Sequence, residues 1–254
     1  MKKRSFQIML YAGLITFSWV IVGLSSASHD RQLVTDLQPV LLNEENNHFL
    51  SMDDVRDLVR DIQGRPIEEC KLGEVQVANI ERSLKENPYV KFAEAYTRID
   101  GDVVVELELR KPLARVMYDD GTGFYLDKDF RKVDLSAEFT ANTILLRGLP
   151  LETLEPRDSI RNEALATLEP ILRHIDGSEF LRSQVSEIQV NKNGELVIYP
   201  EVGDCVIEFG KPHRIEEKFD NLELFYHEVL NNIGWEKYHS ISLKFRDQVV
   251  ARKS

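Results

Sequence analysis

The sequence predicts an α+β protein with an N-terminal transmembrane helix, a small β-α-α-β-β module and a mainly antiparallel β domain with flanking helices. Three observations predict this organisation. An uncharged apolar segment lies near the N-terminus, two amphipathic helical patterns precede a pair of strands, and short alternating strands separated by hairpin turns fill most of the remainder. The expected bounds are 1–4 for a cytoplasmic tail, 5–27 for the transmembrane helix, 30–112 for the module, 113–250 for the β domain and 251–254 for a C-terminal tail.

The apolar segment is long enough to cross a membrane. No charged residue occurs from Ser5 to Ser28, and a bilayer core requires about 20 apolar residues in a helix. Because the preceding residues 1–4 are basic, they stay cytoplasmic and the bulk of the chain lies outside. The alternative is a cleaved signal peptide, with Ser25-Ser26-Ala27 as the cleavage site. The apolar run is longer than the hydrophobic region of a typical signal peptide, which spans about 7–15 residues, so an uncleaved single-pass anchor is favoured.

Helix signals define the centre of the module. Ser51 is a good N-cap for a helix that Gly64 ends. A second helix over 74–86 stops at Asn87-Pro88, because the residue before a proline disfavours helical geometry.

Strand signals complete the module. One extended segment is predicted within 33–42, and another over 89–99. Asp100-Gly101 then predicts a hairpin turn into a strand with alternating valines and leucines over 103–109. Three strands with two helices on one face form a complete small layer structure.

The remainder of the chain has the pattern of a β domain. Hairpin turns are predicted around Gly121 and Gly194, and the closing strand is predicted over 238–250. Helices are predicted over 160–175, with a break at Pro170 as one possibility, and over 213–230.

Composition and motifs exclude several functions. The net charge of −11 argues against nucleic acid and against a broad contact with anionic lipid. The sequence has no hydrolase elbow, zinc-protease, phosphate-loop or dinucleotide motif, and its histidines do not pair at ligand spacing. We therefore predict no enzymatic activity, cofactor, metal or small-molecule substrate. Cys70 and Cys205 fall in different predicted domains and are interpreted as separate thiols, although an oxidising compartment would permit a bond.

Three stretches together resemble the FtsQ/DivIB family of bacterial division proteins, whose first extracytoplasmic part is a POTRA module. They are NPYVKFA at 87–93, VELELRKPLA at 105–114 and WEKYHSISLKFRDQVV at 235–250. Their order behind one N-terminal span makes the resemblance fairly specific. One departure concerns the family's Asp-x-Asp-Gly turn, because Phe130 follows Asp129 where a glycine is usual.

The resemblance implies a scaffold of the divisome during septum formation. It implies a single-pass protein of the inner membrane at the division septum, with its bulk in the periplasm. Its partners would be small bitopic division proteins similar to FtsB and FtsL, one of which pairs with the edge of the last β-strands. The expected partner-binding residues are Leu243, Lys244, Phe245, Arg246, Asp247, Gln248, Val249 and Val250.

Two alternatives belong to other classes. A POTRA-type peptide-binding factor in envelope protein assembly or secretion would usually carry several such modules or a membrane barrel. A membrane-anchored envelope enzyme would need a cleft with converging titratable groups, which no motif here supplies.

Overall fold

The computed structural model describes residues 30–43, 47–149 and 163–253. Contacts divide the chain into two compact units, Met1–Leu109 and Arg110–Ser254. The predicted transmembrane helix over 5–27 lies outside the described residues. In the ranges that are described, no helix is both long and apolar enough to cross a bilayer.

The first unit has the predicted β-α-α-β-β order. Its elements are β1 Leu37–Leu41, α1 Met52–Gln63, α2 Val77–Glu86, β2 Val90–Thr97 and β3 Val103–Leu109, with 3-10 turns at Ile67–Glu69 and Leu72–Glu74. The sheet order is β1-β3-β2, with β1 parallel and β2 antiparallel to β3. The sheet therefore buries β3 centrally and leaves β1 and β2 as its two edges.

Helix α1 is fixed by the caps that the sequence predicts. The Ser51 hydroxyl accepts a hydrogen bond from the Asp54 amide at 3.1 Å, and the Asp54 carboxylate accepts one from the Ser51 amide at 2.7 Å. Gly64 ends the helix in the left-handed region at φ 75°. Helix α2 begins at Val77 rather than near residue 74, because Leu72–Glu74 forms a 3-10 turn first.

One apolar core lies between the helices and one face of the three-stranded sheet. Its most buried members include Val55, Val59, Ile80, Leu84, Ala93, Val103, Val105, Leu107 and Leu109. Alternation along the strands directs the other side chains away from α1 and α2, so neither of these two helices covers the second sheet face.

The second unit is built on one large sheet with helices. Its strands are β4 Pro112–Met117, β5 Gly123–Asp127, β6 Lys132–Asp134, β7 Ile144–Arg147, β8 Val185–Val190, β9 Leu196–Pro200, β10 Val206–Gly210, β11 Tyr238–Ser242 and β12 Val250–Lys253. Its helices are α3 Glu163–Gly177, α4 Glu179–Gln184, α5 Ile215–Phe225 and α6 Asn231–Ile233, with π-helical Tyr226–Leu230 between the last two and a 3-10 turn at Trp235–Lys237.

The sheet is mixed rather than simply antiparallel. The strand order within the described residues is β12-β11-β10-β9-β8-β7-β4-β5-β6. Five neighbouring pairs are antiparallel, whereas β4–β7, β7–β8 and β10–β11 are parallel. The α+β class is confirmed, and the parallel pairs arise where helices or longer connections join the strands.

Two local predictions need correction. Helix α3 continues through Pro170, because apolar residues on both sides of the proline, such as Leu168 and Ile171, are buried in the core and hold the helix in place. The predicted single strand over 238–250 is wrong, since it is two antiparallel strands, β11 and β12, joined by a turn.

The turn after β5 keeps its left-handed geometry without a glycine. Phe130 has φ 58°, and its side chain is buried in the core of the unit. Asp127 accepts hydrogen bonds from the amides of Asp129 at 2.9 Å and Arg131 at 2.7 Å. Burial of the aromatic ring and these backbone contacts offset the strain that a side chain meets at positive φ.

Candidate functional site: the β12 edge

Among the described residues, strand β12 forms one outer edge of the nine-stranded sheet. It pairs antiparallel with β11, with Val250 opposite Ser242 and Arg252 opposite Ser240. A strand with one paired side turns half of its backbone N–H and C=O groups outward, where they can bond to another chain. This edge can therefore accept an added strand.

The eight predicted partner-binding residues take three different positions. Leu243 is buried in the core, and its amide donates to the Glu208 carbonyl at 2.9 Å. The exposed turn comprises residues 244–248, and Val249 packs partly against the core. Val250 alone of the eight belongs to β12. The structure brings these residues together as a turn leading into the edge, and their binding of a partner stays a prediction.

The first half of this turn is anchored. The Lys244 ammonium lies 3.0 Å from the Glu195 carboxylate and 3.9 Å from that of Glu208. The hydrogen bond from Lys244 lowers the pKa of Glu195. The Arg214 guanidinium also donates to the Lys244 carbonyl at 3.3 Å. These contacts fix where the chain leaves β11 and therefore where β12 begins.

The edge carries positive charge on an acidic protein. Arg252 is 65% exposed, with its guanidinium 3.8 Å from the Glu208 carboxylate, and Lys253 is exposed next to it. Arg246 in the turn is also exposed. The chain as a whole has a net charge of −11, so the cationic side chains at this edge are opposite in sign to the net charge of the protein.

The other face of the edge is apolar. Ala251 alternates with Arg252 and packs against the core, as Val249 does. Phe225 and Tyr238 lie at the same core and contact each other edge-on, with ring centres 5.8 Å apart. An added strand would therefore meet Ala251 on its helix-facing side, and Val250 and the cationic Arg252 on its opposite side.

Buried Lys218 holds the neighbouring helix to the sheet. Its ammonium donates to the Phe209 carbonyl at 2.7 Å and to the Lys211 carbonyl at 2.8 Å. Burial lowers the pKa of Lys218 to about 8. The lysine thus satisfies two carbonyls at the end of β10, the strand on which β11 packs.

No group of three His, Cys, Asp or Glu side chains in the described ranges is arranged to hold a metal ion. Cys70 and Cys205 are buried free thiols in different units.

Sequence reasoning missed the strand character of residues 251–253. Apolar residues of the hairpin, Ile241, Leu243, Phe245, Val249 and Ala251, all occupy odd-numbered positions, so the alternation continues unchanged across the turn. The available signal was Asp247, which has φ 56°, because Asp is one of the few residues that tolerate this conformation.

The two units match different family models. The model described as "POTRA-like domain" matches residues 32–108. The model described as "FtsQ/DivIB, C-terminal related" matches residues 111–252, which is more than half of the chain. None of the curated proteins matches the chain. On the strength of the longer match, and of the POTRA-like unit that precedes it, the chain belongs to the FtsQ/DivIB family.

Proposed function

We propose that this protein is a membrane-anchored, non-catalytic scaffold of the bacterial divisome that binds single-span division proteins by strand addition at β12. Membership of the FtsQ/DivIB family supports a scaffold role in cell division. The observation that carries the proposal is the position of β12, a sheet edge with exposed cationic side chains. Its partners are FtsB- and FtsL-like proteins, and its place is the septal inner membrane with both units in the periplasm.

Strand addition suits this edge for a physical reason. Main-chain hydrogen bonds to the outward groups of β12 supply affinity, whereas alternate side chains of the added strand supply specificity. Opposite Arg252 the fitting residue is Asp or Glu, and next to Ala251, on the other face, it is an apolar residue. A partner strand that alternates acidic and apolar residues therefore meets both faces correctly.

The charge of the edge provides the first test. The variant Arg252→Glu should weaken binding of the FtsB-like protein about tenfold, because an acidic partner then meets like charge. Lys192→Glu is the matched control, since it makes the same charge change at an exposed position in the turn between β8 and β9. Dissociation constants of the full-length protein in lipid nanodiscs measure both. If the two variants bound the FtsB-like protein with equal affinity, Arg252 would not be part of the interface.

Backbone pairing provides the second arm of the same test. The substitutions are Ala251→Pro and Arg252→Pro, because one of these two consecutive residues of β12 directs its N–H outward. The proline at that position should abolish binding and leave the melting temperature nearly unchanged. If both folded proline variants bind normally, the interface is not this edge. If a pull-down from envelope extract recovered only unfolded outer-membrane proteins, the peptide-binding alternative would be favoured.

A further inference from the structure

The first unit has an open sheet face, formed by the strand residues that point away from α1 and α2. Its members are Gln38, Val40, Phe92, Glu94, Tyr96, Val104, Glu106 and Glu108. Val104 is buried at its centre, where Tyr96 lies opposite on β2 and Gln38 on β1. The open sheet face thus has a buried apolar residue, Val104, at its centre.

Two carboxylates oppose each other across this face. Glu94 on β2 stands directly opposite Glu106 on β3, and Phe92 stands opposite a third carboxylate, Glu108. Directly opposed side chains in an antiparallel pair have Cβ atoms about 5 Å apart, and like charges there destabilise a sheet. The Lys91 ammonium lies 3.5 Å from Glu108 and offsets one of the three carboxylates. Because Glu94 and Glu106 remain, the open sheet face keeps an excess of negative charge.

Apolar and aromatic groups frame these carboxylates. Phe92 is 40% exposed and Tyr96 is 38% exposed on the edge strand, and Val40 is exposed on the opposite edge. The Tyr96 hydroxyl donates to Glu106 at 2.8 Å, which raises the pKa of Tyr96 and holds its ring beside the acidic pair. A cation above Glu94 and Glu106 would lie within reach of an aromatic ring as well as two carboxylates.

We propose that the open sheet face docks a protein segment rich in arginine or lysine that alternates with apolar residues. Charge complementarity selects this occupant, because a cation relieves the opposed carboxylates while apolar groups cover Phe92 and Val40. Anionic lipid would be repelled by the same carboxylates. A metal ion is disfavoured, since no three acidic side chains in the described residues converge on one point. The surface belongs to the first unit and is independent of the β12 proposal.

A defined peptide tests this surface. The probe is a fluorescein-labelled nine-residue peptide of alternating Arg and Leu, added to the full chain in phosphatidylcholine nanodiscs and followed by anisotropy. We expect binding that weakens with salt, and none by the corresponding Glu–Leu peptide. The double variant Glu94→Gln/Glu106→Gln should bind at least tenfold more weakly. The control Glu68→Gln/Glu69→Gln, which removes two exposed charges from the Ile67–Glu69 turn, should stay within twofold.

Stability gives a second readout that separates docking from misfolding. Because the double variant also removes the like-charge pair, its melting temperature should rise by about 1–4 °C while its affinity falls. Peptide binding that is unchanged in the double variant, or lost equally in the control, would overturn the proposal. Self-association that only the double variant abolishes would also overturn it, in favour of a second copy of the chain. The variant Arg252→Glu should leave peptide binding intact, because Arg252 lies in the second unit. A failed test of the open sheet face can therefore be told apart from a failed test of the β12 edge.

Discussion

The two units bury charge differently. In the described part of the first unit, the buried charged residue is Asp102, at the margin of the core, where it accepts a hydrogen bond from Gln38 at 2.5 Å. The second unit buries Asp127, 1% exposed, and Lys218, 2% exposed, and it uses both to fix turns and strand ends. The first unit therefore depends mainly on apolar packing, whereas the second depends on specific ionised groups as well.

This difference has a consequence for function. The proposed β12 edge lies in the unit whose geometry depends on buried charges, because Lys218 holds the end of β10 and β10 pairs with β11. The open sheet face lies in the unit that packs more like a simple apolar sandwich. We therefore expect pH to affect the stability of the second unit more strongly than that of the first.

The largest effect should come from Asp127→Ala. The carboxylate accepts two amide hydrogen bonds and one from Arg110 at 2.8 Å, so its removal leaves a largely buried guanidinium without this partner. We expect the unfolding free energy of the second unit to fall by about 3–5 kcal/mol. Hydrogen exchange should show the loss over β4–β9 and leave α1 and β3 protected.

Asp134→Ala is the matched control for that measurement. Asp134 is exposed on β6, so its loss should change stability by no more than about 0.5 kcal/mol. Equal losses in the two variants would mean that the hydrogen bonds of Asp127 add nothing specific. Deprotection of α1 in Asp127→Ala would mean that the units unfold together.

A smaller, pH-dependent effect is expected at Lys218. Its pKa is about 8 in the folded protein and 10.5 ordinarily, so the unfolded chain binds the proton more tightly. Stability should therefore rise as the pH increases from about 8 towards 10.5, by about 1–3 kcal/mol. Lys218→Met should lack this rise in urea denaturation, whereas Lys192→Met, at an exposed turn, should retain it.

Tyr226 limits the window of that measurement. Burial raises its pKa to about 12, so stability is lost above pH 10, where the unfolded tyrosine ionises. The comparison between Lys218→Met and the wild type therefore belongs between pH 8 and 10. A wild-type stability that is flat across this range would contradict the buried lysine's assigned role.

Local signals account for what the sequence predicted well. The Ser51 cap and the Gly64 stop define α1 because each satisfies backbone groups within a few residues. The Gly121 and Gly194 turns lie at positive φ, as hairpins require. Such features depend on neighbouring residues alone, so they can be predicted from a single sequence.

Non-local pairing accounts for what it missed. The parallel pairing of β10 with β11 joins residues more than 30 positions apart, with a helix between them, and no local pattern encodes it. Lys218 lies in a helix with Glu216 and Glu217, where a lysine normally indicates a solvated surface. Its burial depends on the carbonyls at the end of β10, which only the folded chain brings near.

The smallest predicted effect concerns the turn before β12. Asp247 has φ 56° and a side chain that is 81% exposed, and its ion pair with Arg246 at 3.9 Å contributes little in solvent. Asp247→Gly relieves left-handed strain but increases the entropy of the unfolded chain, so the net gain should be at most about 0.5–1 kcal/mol. Asp247→Val should instead lose about 1–2 kcal/mol, because a β-branched residue fits this conformation poorly. Guanidinium chloride midpoints measure both variants. If the valine variant also loses partner binding while β12 amides stay protected, the turn itself contacts the partner; unchanged binding would restrict the interface to the edge strand.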